Sequence, residues 1–304
     1  MMKQVCITLF VLLVVSMGLF ASVLDQADAL YWHDEYDEAK TVLSQSLATA
    51  TDSQMKAELL WRLSRVTLAM GDEREVEGAS DDELFAIYEE AERYAMQSLD
   101  LRELPMAIVY KASSVGRWGE TKGPLNALSK AKPMRDDFTH LIDELGITDN
   151  TISWYVLGQL YFQLPGWPIS FGDLNTAISY TRKAVDTIPD TVLYPGHFKA
   201  LATMLWKRDW SASKRNSELK KMEKDWKKEA GRSVVEQHRY YEGSQGPKAI
   251  PFYSPVALNA MSDRQEAGMI LKYAVAKYDV WPFHSRADIR NRDEIEDLLK
   301  EYGF

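Results

Sequence analysis

The chain has 304 residues, with 45 Asp and Glu against 36 Lys and Arg and a formal net charge of −9. That balance argues against general nucleic-acid binding, which requires a basic face to meet phosphates. The length suffices to bury a sizeable core without staples, and a single cysteine, Cys6, excludes an internal disulfide framework.

After Lys3 no charged residue occurs until Asp25, and Val5 to Phe20 is almost wholly apolar. A short basic start, an apolar middle and small residues at Ala21 and Ser22 are the pattern of a secretory leader. Residues 1–21 are therefore expected to be a signal peptide cut after Ala21, which places the protein outside the cytoplasm, periplasmic or extracellular. The alternative is an uncleaved anchor, because residues 4–24 are long enough to cross a hydrocarbon core of about 30 Å as a helix. Positions 22–24 are Ser, Val and Leu, so no thiol stands ready for lipid attachment. Cleavage would also remove Cys6, and with it every thiol nucleophile and Cys zinc ligand.

Downstream of Val23 the apolar residues recur at helical spacing and strand-like alternation is missing, which predicts an all-α fold. The first pair is expected around Ala27, Leu30 and Tyr31, then Tyr36-Asp-Glu-Ala39, Leu43 and Ser46, with Asp34 capping the turn. A second pair carries Trp61, Arg65 and Leu68, then Ala91, Ala95 and Ser98, across a widened connection around Gly71 to Asp82. A third runs from Ala107 through Tyr110 and Ser114 to Met134, Phe138 and Leu141. The fourth holds Trp154, Leu157, Gly158 and Tyr161, followed by Ala177, Thr181, Ala184 and Pro189. Small residues at Gly158 and Ala177 allow two helices to approach closely, while the large rings fill the groove between pairs. Helices from His197 to Trp206 and from Ser211 to Glu229, with Ser211 as N-cap, form a fifth and degenerate pair.

The fourth segment matches the tetratricopeptide first-helix pattern W-x2-L-G-x2-Y without a mismatch, and Tyr36-Asp-Glu-Ala39 has the look of that superfamily's second helix. Residues 22–230 thus resemble tetratricopeptide (TPR) proteins. The resemblance implies a superhelix of helix pairs with a concave binding face. More remotely, Trp154 to Trp206 resembles the microtubule-dynamics regulators and the periplasmic proteins associated with TRAP-type carboxylate transporters. One departure is an insertion of about seven residues relative to the repeat of roughly 34. It spans Leu164 to Gly172 and carries Trp167 and Phe171 among prolines and glycines. Residues 231–304 lose the pattern, with a loop from His238 to Pro255 and helices expected at Ser262–Tyr278 and Asp293–Tyr302. They read as a helical cap over the last repeat.

No catalytic signature emerges. The five histidines, His33, His140, His197, His238 and His284, are scattered and none belongs to an H-E-x-x-H arrangement, so no metal site is expected. The glycine run Gly116 to Gly123 lacks the terminal Gly-Lys-Ser/Thr of a phosphate loop, and no cofactor is implied.

Two constellations are candidates for binding. Arg117, Trp118 and Lys122 are expected on a loop between the helices of the third pair, and Trp167 and Phe171 hold the corresponding place in the fourth. A guanidinium grips a carboxylate and an indole covers an apolar body, so together they could wall a pocket for an anionic small molecule. The other constellation lies within Lys207 to Arg232, which holds ten basic and five acidic residues. There Lys220, Lys221, Lys224, Lys227 and Lys228 recur at helical spacing and form a strip for an acidic protein partner or anionic headgroups. Pairing such as Glu223 with Lys227 would instead make the strip a solvated helix face. The leading expectation is a non-enzymatic scaffold binding a protein or peptide in the cell envelope, a membrane transporter subunit being one such partner. The rival is a periplasmic organic-acid binder serving a transporter.

Overall fold

A computed structural model describes residues 23–123 and 125–304. The expected leader, residues 1–21, lies outside the described residues. Within them every regular element is helical, and no helix is long and apolar enough to cross a membrane. The chain divides into two compact units, one ending at Lys122 and the other running from Gly123 to Phe304. The division falls inside the third predicted pair, and residues 231–304 belong to the second unit.

In the first unit residues 23–32 form α1, followed by α2 (Tyr36–Thr49), α3 (Ser53–Val76), α4 (Asp81–Leu101) and α5 (Pro105–Lys122). Each helix from α2 to α5 packs on its neighbour in sequence, and α3 also meets α5. Ala27, Ala39, Leu43, Leu59, Leu63 and Val66 form one buried cluster, and Trp61, Leu84, Tyr88, Ala91 and Tyr110 belong to another. Asp28 of α1 accepts from Arg62 at 3.0 Å and also pairs with Arg65, which ties the first helix to α3.

Asp34 lies in the turn with a left-handed φ of 61° and accepts from the Tyr36 hydroxyl at 2.8 Å, while Glu35 precedes α2 without a side-chain cap bond. Two local expectations change. The connection around Gly71 is not wide, because α3 continues to Val76 and Ser80 caps α4 by accepting from Glu83 N. Gly71 serves packing instead; a Cβ there would stand 2.5 Å from the Tyr88 ring. The glycine run from Gly116 is likewise no loop, since α5 carries it as far as Lys122. Its glycines did not break the helix because the preceding residues Ala107 to Val115 bury a continuous face that holds it.

The second unit contains α6 (Leu128–Thr139), which runs into a π turn at His140–Glu144, then α7 (Thr151–Gln163), α8 (Leu174–Asp186), α9 (Pro195–Arg208) and α10 (Ala212–Glu229). Short helices α11 (Val234–His238) and α12 (Tyr241–Ser244) precede a 3-10 turn at Leu258–Ala260, and α13 (Asp263–Asp279) and α14 (Arg286–Tyr302) follow. Gly158 on α7 does what its size suggested: a Cβ would meet Thr181 Oγ1 at 2.2 Å and Ala177 O at 3.2 Å on α8. Trp154, Leu157 and Tyr161 are buried beside it. Ser211 and Ser262 cap α10 and α13, the latter with a full capping box, while α14, capped by Ser285, starts at Arg286, ahead of the expected Asp293. Helices α13 and α14 both pack on α9, where Trp206 stacks on Tyr302 at 3.7 Å.

Candidate functional site

Helix α10 has two chemically opposite faces. Its inward side carries Arg215, Leu219 and Met222 at helical spacing, all buried. Arg215 enters a closed ionic network with Arg182 of α8, Arg208 of α9, Glu242 of α12 and Asp263 and Glu266 of α13, all fully enclosed or nearly so. Arg182 donates to Glu266 at 2.8 Å and to Glu242 at 3.0 Å; Arg208 donates to Glu242 at 2.6 Å and to Asp263 at 2.7 Å. Arg215 reaches Glu242 at 3.0 Å and also pairs with Glu266, and Tyr253 donates its hydroxyl to Glu266 at 2.6 Å.

Three guanidinium groups thus face three carboxylates without net charge. Burial by itself would raise the Glu242 and Glu266 carboxyls, but the surrounding arginines outweigh it and hold both well below the usual carboxylate range. The network balances its charges inside the fold, although the Nε atoms of Arg182 and Arg215 and one terminal nitrogen of Arg215 have no hydrogen-bond partner. Its effect is positional: it fastens α12 and α13 to α8, α9 and α10.

Next to Glu242, Gly243 brings α12 against the backbone of α10. A Cβ at Gly243 would lie 2.5 Å from the Met222 carbonyl carbon and 2.6 Å from Glu223 N, so only glycine fits this approach. The following turn closes through Ala249 N donating to Gly246 O at 3.2 Å, with Gly246 at φ +77°. Leu258 N donates to Ala249 O and Asn259 N to Pro247 O, both at 2.9 Å, which stitches the 3-10 turn to it. The result is an open cleft of about 610 Å³ between α10 and this turn, lined by Asn216, Lys220, Gln245, Lys248 and Asn259 among others.

The outward side of α10 is the predicted basic strip, and the structure divides it. Lys221 pairs with Glu218 at 2.9 Å and Lys227 with Glu223 at 2.6 Å, the latter as anticipated. Lys220, Lys224 and Lys228 are exposed at i, i+4 and i+8 and have no carboxylate partner among the described residues. They share one helix face over about 12 Å of axis.

The other predicted constellation is arranged differently. Arg117 gives all three guanidine nitrogens to carboxylates: Nε to Asp72 at 2.7 Å, with Glu75 and Glu120 on the other two. Trp118 lies against Phe85 and donates its indole N–H to Glu89 at 3.2 Å, and Lys122 sits over the Phe85 ring. In the second unit, Phe171 packs on Tyr161 at 5.1 Å beneath the Arg135 guanidinium, while Trp167 is 90% exposed. Phe171 is engaged by neighbouring side chains, whereas Trp167 is left to solvent.

Among the described residues no group of three or more His, Cys, Asp or Glu side chains is placed to hold a metal ion. His197 is buried between Tyr155 at 4.1 Å and Tyr194 at 4.9 Å, and His238 is stacked on Trp154 at 4.6 Å.

Sequence reasoning did not find the ionic network. A signal existed, since Arg215 shares the face of Leu219 and Met222, and Arg182 the face of Ile178 and Val185. Its acidic partners lie from 27 to 84 residues away, however, and carry no local mark. No protein-family model matches the chain, and no curated protein is significantly similar to it.

Proposed function

We propose that this chain is an exported scaffold of tetratricopeptide-like helix pairs that binds an acidic protein or peptide partner in the cell envelope through the outward face of α10. The single observation that carries the reading is the row Lys220, Lys224 and Lys228, three exposed ammonium groups on one face with no ion-pairing carboxylate among the described residues. On a chain of net charge −9, such a row is a local reversal of sign that steers an acidic segment toward one place. A transporter subunit with an acidic exposed loop would be a partner of this kind. The organic-acid reading centred on Arg117 has less to rest on, because that guanidinium is already surrounded by three carboxylates.

The test is fluorescence anisotropy with a labelled oligoglutamate peptide. The double substitution Lys224→Glu and Lys228→Glu is expected to weaken binding by about tenfold, and added salt should weaken the unaltered protein in the same direction. Equal affinity in the double variant would refute the assignment of this face.

A further inference from the structure

The cleft at the N-terminal end of the lysine row has a chemistry of its own. Lys220 of α10 and Lys248 of the facing turn both line it, both are exposed, and neither has an ion-pair partner among the described residues. No acidic side chain is among the lining residues. Asn259 donates its side-chain amide to Asn216 Oδ1 at 3.4 Å, which leaves the Asn216 amide hydrogens without an acceptor. Gln245 spends its Nε2 on Asp186 at 2.7 Å, a carboxyl that burial pushes up from its ordinary value.

We propose that this cleft binds a compact dianionic oxyanion, a phosphoryl group held between the Lys220 and Lys248 ammoniums with the Asn216 amide as a third donor. The donor set points to phosphate over carboxylate. Two ammoniums act as point charges with donors in every direction, whereas the planar fork that matches a carboxylate is a guanidinium, and none lines the cleft. The volume of about 610 Å³ exceeds a bare phosphate and lies within the range of small-molecule sites, so the phosphoryl group has room to bring an organic body with it. The apolar patch for that body is at Ala249, which packs on the buried cluster of Leu219, Met222, Leu258 and Met261. Two constraints hold the turn in place beneath the ligand: the Glu242 carboxylate locked among arginines, and the close approach at Gly243. The site shares Lys220 with the proposed docking face and does not otherwise depend on it.

Isothermal titration of the full chain with inorganic phosphate, glycerol 3-phosphate and succinate at matched ionic strength tests the assignment. Both phosphates are expected to saturate one site and to bind more tightly than succinate. Lys248→Ala should weaken phosphate by about tenfold and Lys248→Arg should keep most of the affinity, on the scale of one charge-assisted contact. Absence of saturable phosphate binding, succinate binding as tightly as phosphate, or indifference to both Lys248→Ala and Lys220→Ala would overturn it. The oligoglutamate titration reads the docking face separately, so either assignment can fail while the other stands.

Discussion

The two faces of α10 carry cations with opposite fates. Arg215, turned inward beside Leu219 and Met222, meets Glu242, Asp263 and Glu266 in a closed interior. Lys220, Lys224 and Lys228, a few residues along the same helix, are exposed and have no carboxylate partner among the described residues. The difference is one of solvation. A cation withdrawn from water needs opposite charges supplied by the fold, and once supplied they neutralise it. A cation left in water keeps its valence, and it contributes little to stability. Arg117 in the first unit illustrates the same rule, with three carboxylates around one guanidinium.

The contrast breaks most visibly on the inward side. Glu266→Ala strips Arg182 and Arg215 of a shared partner and leaves their charge enclosed, at an expected loss of about 3–5 kcal/mol. Urea unfolding followed by circular dichroism measures it, and a loss under about 1 kcal/mol would mean that water reaches the arginines.

Acid should act on the interior next. Burial holds His197 neutral, down to about 3, and His238 down to about 4 despite its bond to the Val234 carbonyl. The unfolded chain takes up a proton on each ring near pH 6.5 while the folded chain does not, so stability falls as pH drops below 6.5. At pH 5 the loss is about 2 kcal/mol per ring. Glu242 and Glu266 work in a lower window: their depressed carboxyls stabilise the fold above about pH 4.5, and that contribution fades as pH falls further. Replacing His197 with Phe, which can keep the stack on Tyr155 and Tyr194, should reduce the decline between pH 7.5 and 5. An identical decline in the variant, measured from urea midpoints at both pH values, would count against a buried neutral ring.

The outward side should hardly respond at all. Lys224→Glu with Lys228→Glu is expected to shift unfolding free energy by no more than about 0.5 kcal/mol, even while it weakens peptide binding by about tenfold. A thermal or urea shift beyond about 1 kcal/mol would show that the row supports the fold and would blur the distinction between the faces.

Much of the helical scaffold was legible in local pattern. Trp154, Leu157, Gly158 and Tyr161 pack as their spacing implies, and Ser211 and Ser262 cap the helices they precede. The misreadings share a cause. Gly71 and the run from Gly116 looked like breaks because glycine is a poor helix former, yet tertiary burial of the surrounding face overrides a propensity of about 1 kcal/mol per residue. For the candidate site, the strip of five lysines was visible, but not its division into paired and unpaired rows. That division depends on which rotamers reach Glu218 and Glu223.

By itself the amino-acid sequence determined an all-helical chain of negative net charge with a concentrated basic stretch, because helical periodicity and charge are local quantities. Only the tertiary structure decided that Arg182, Arg208 and Arg215 are interior residues, that Gly243 sets α12 against α10, and that Lys220 and Lys248 line one cleft. These depend on segments tens of residues apart meeting in space, and on the cost of enclosing a charge, which is settled only once the surrounding helices have closed over it.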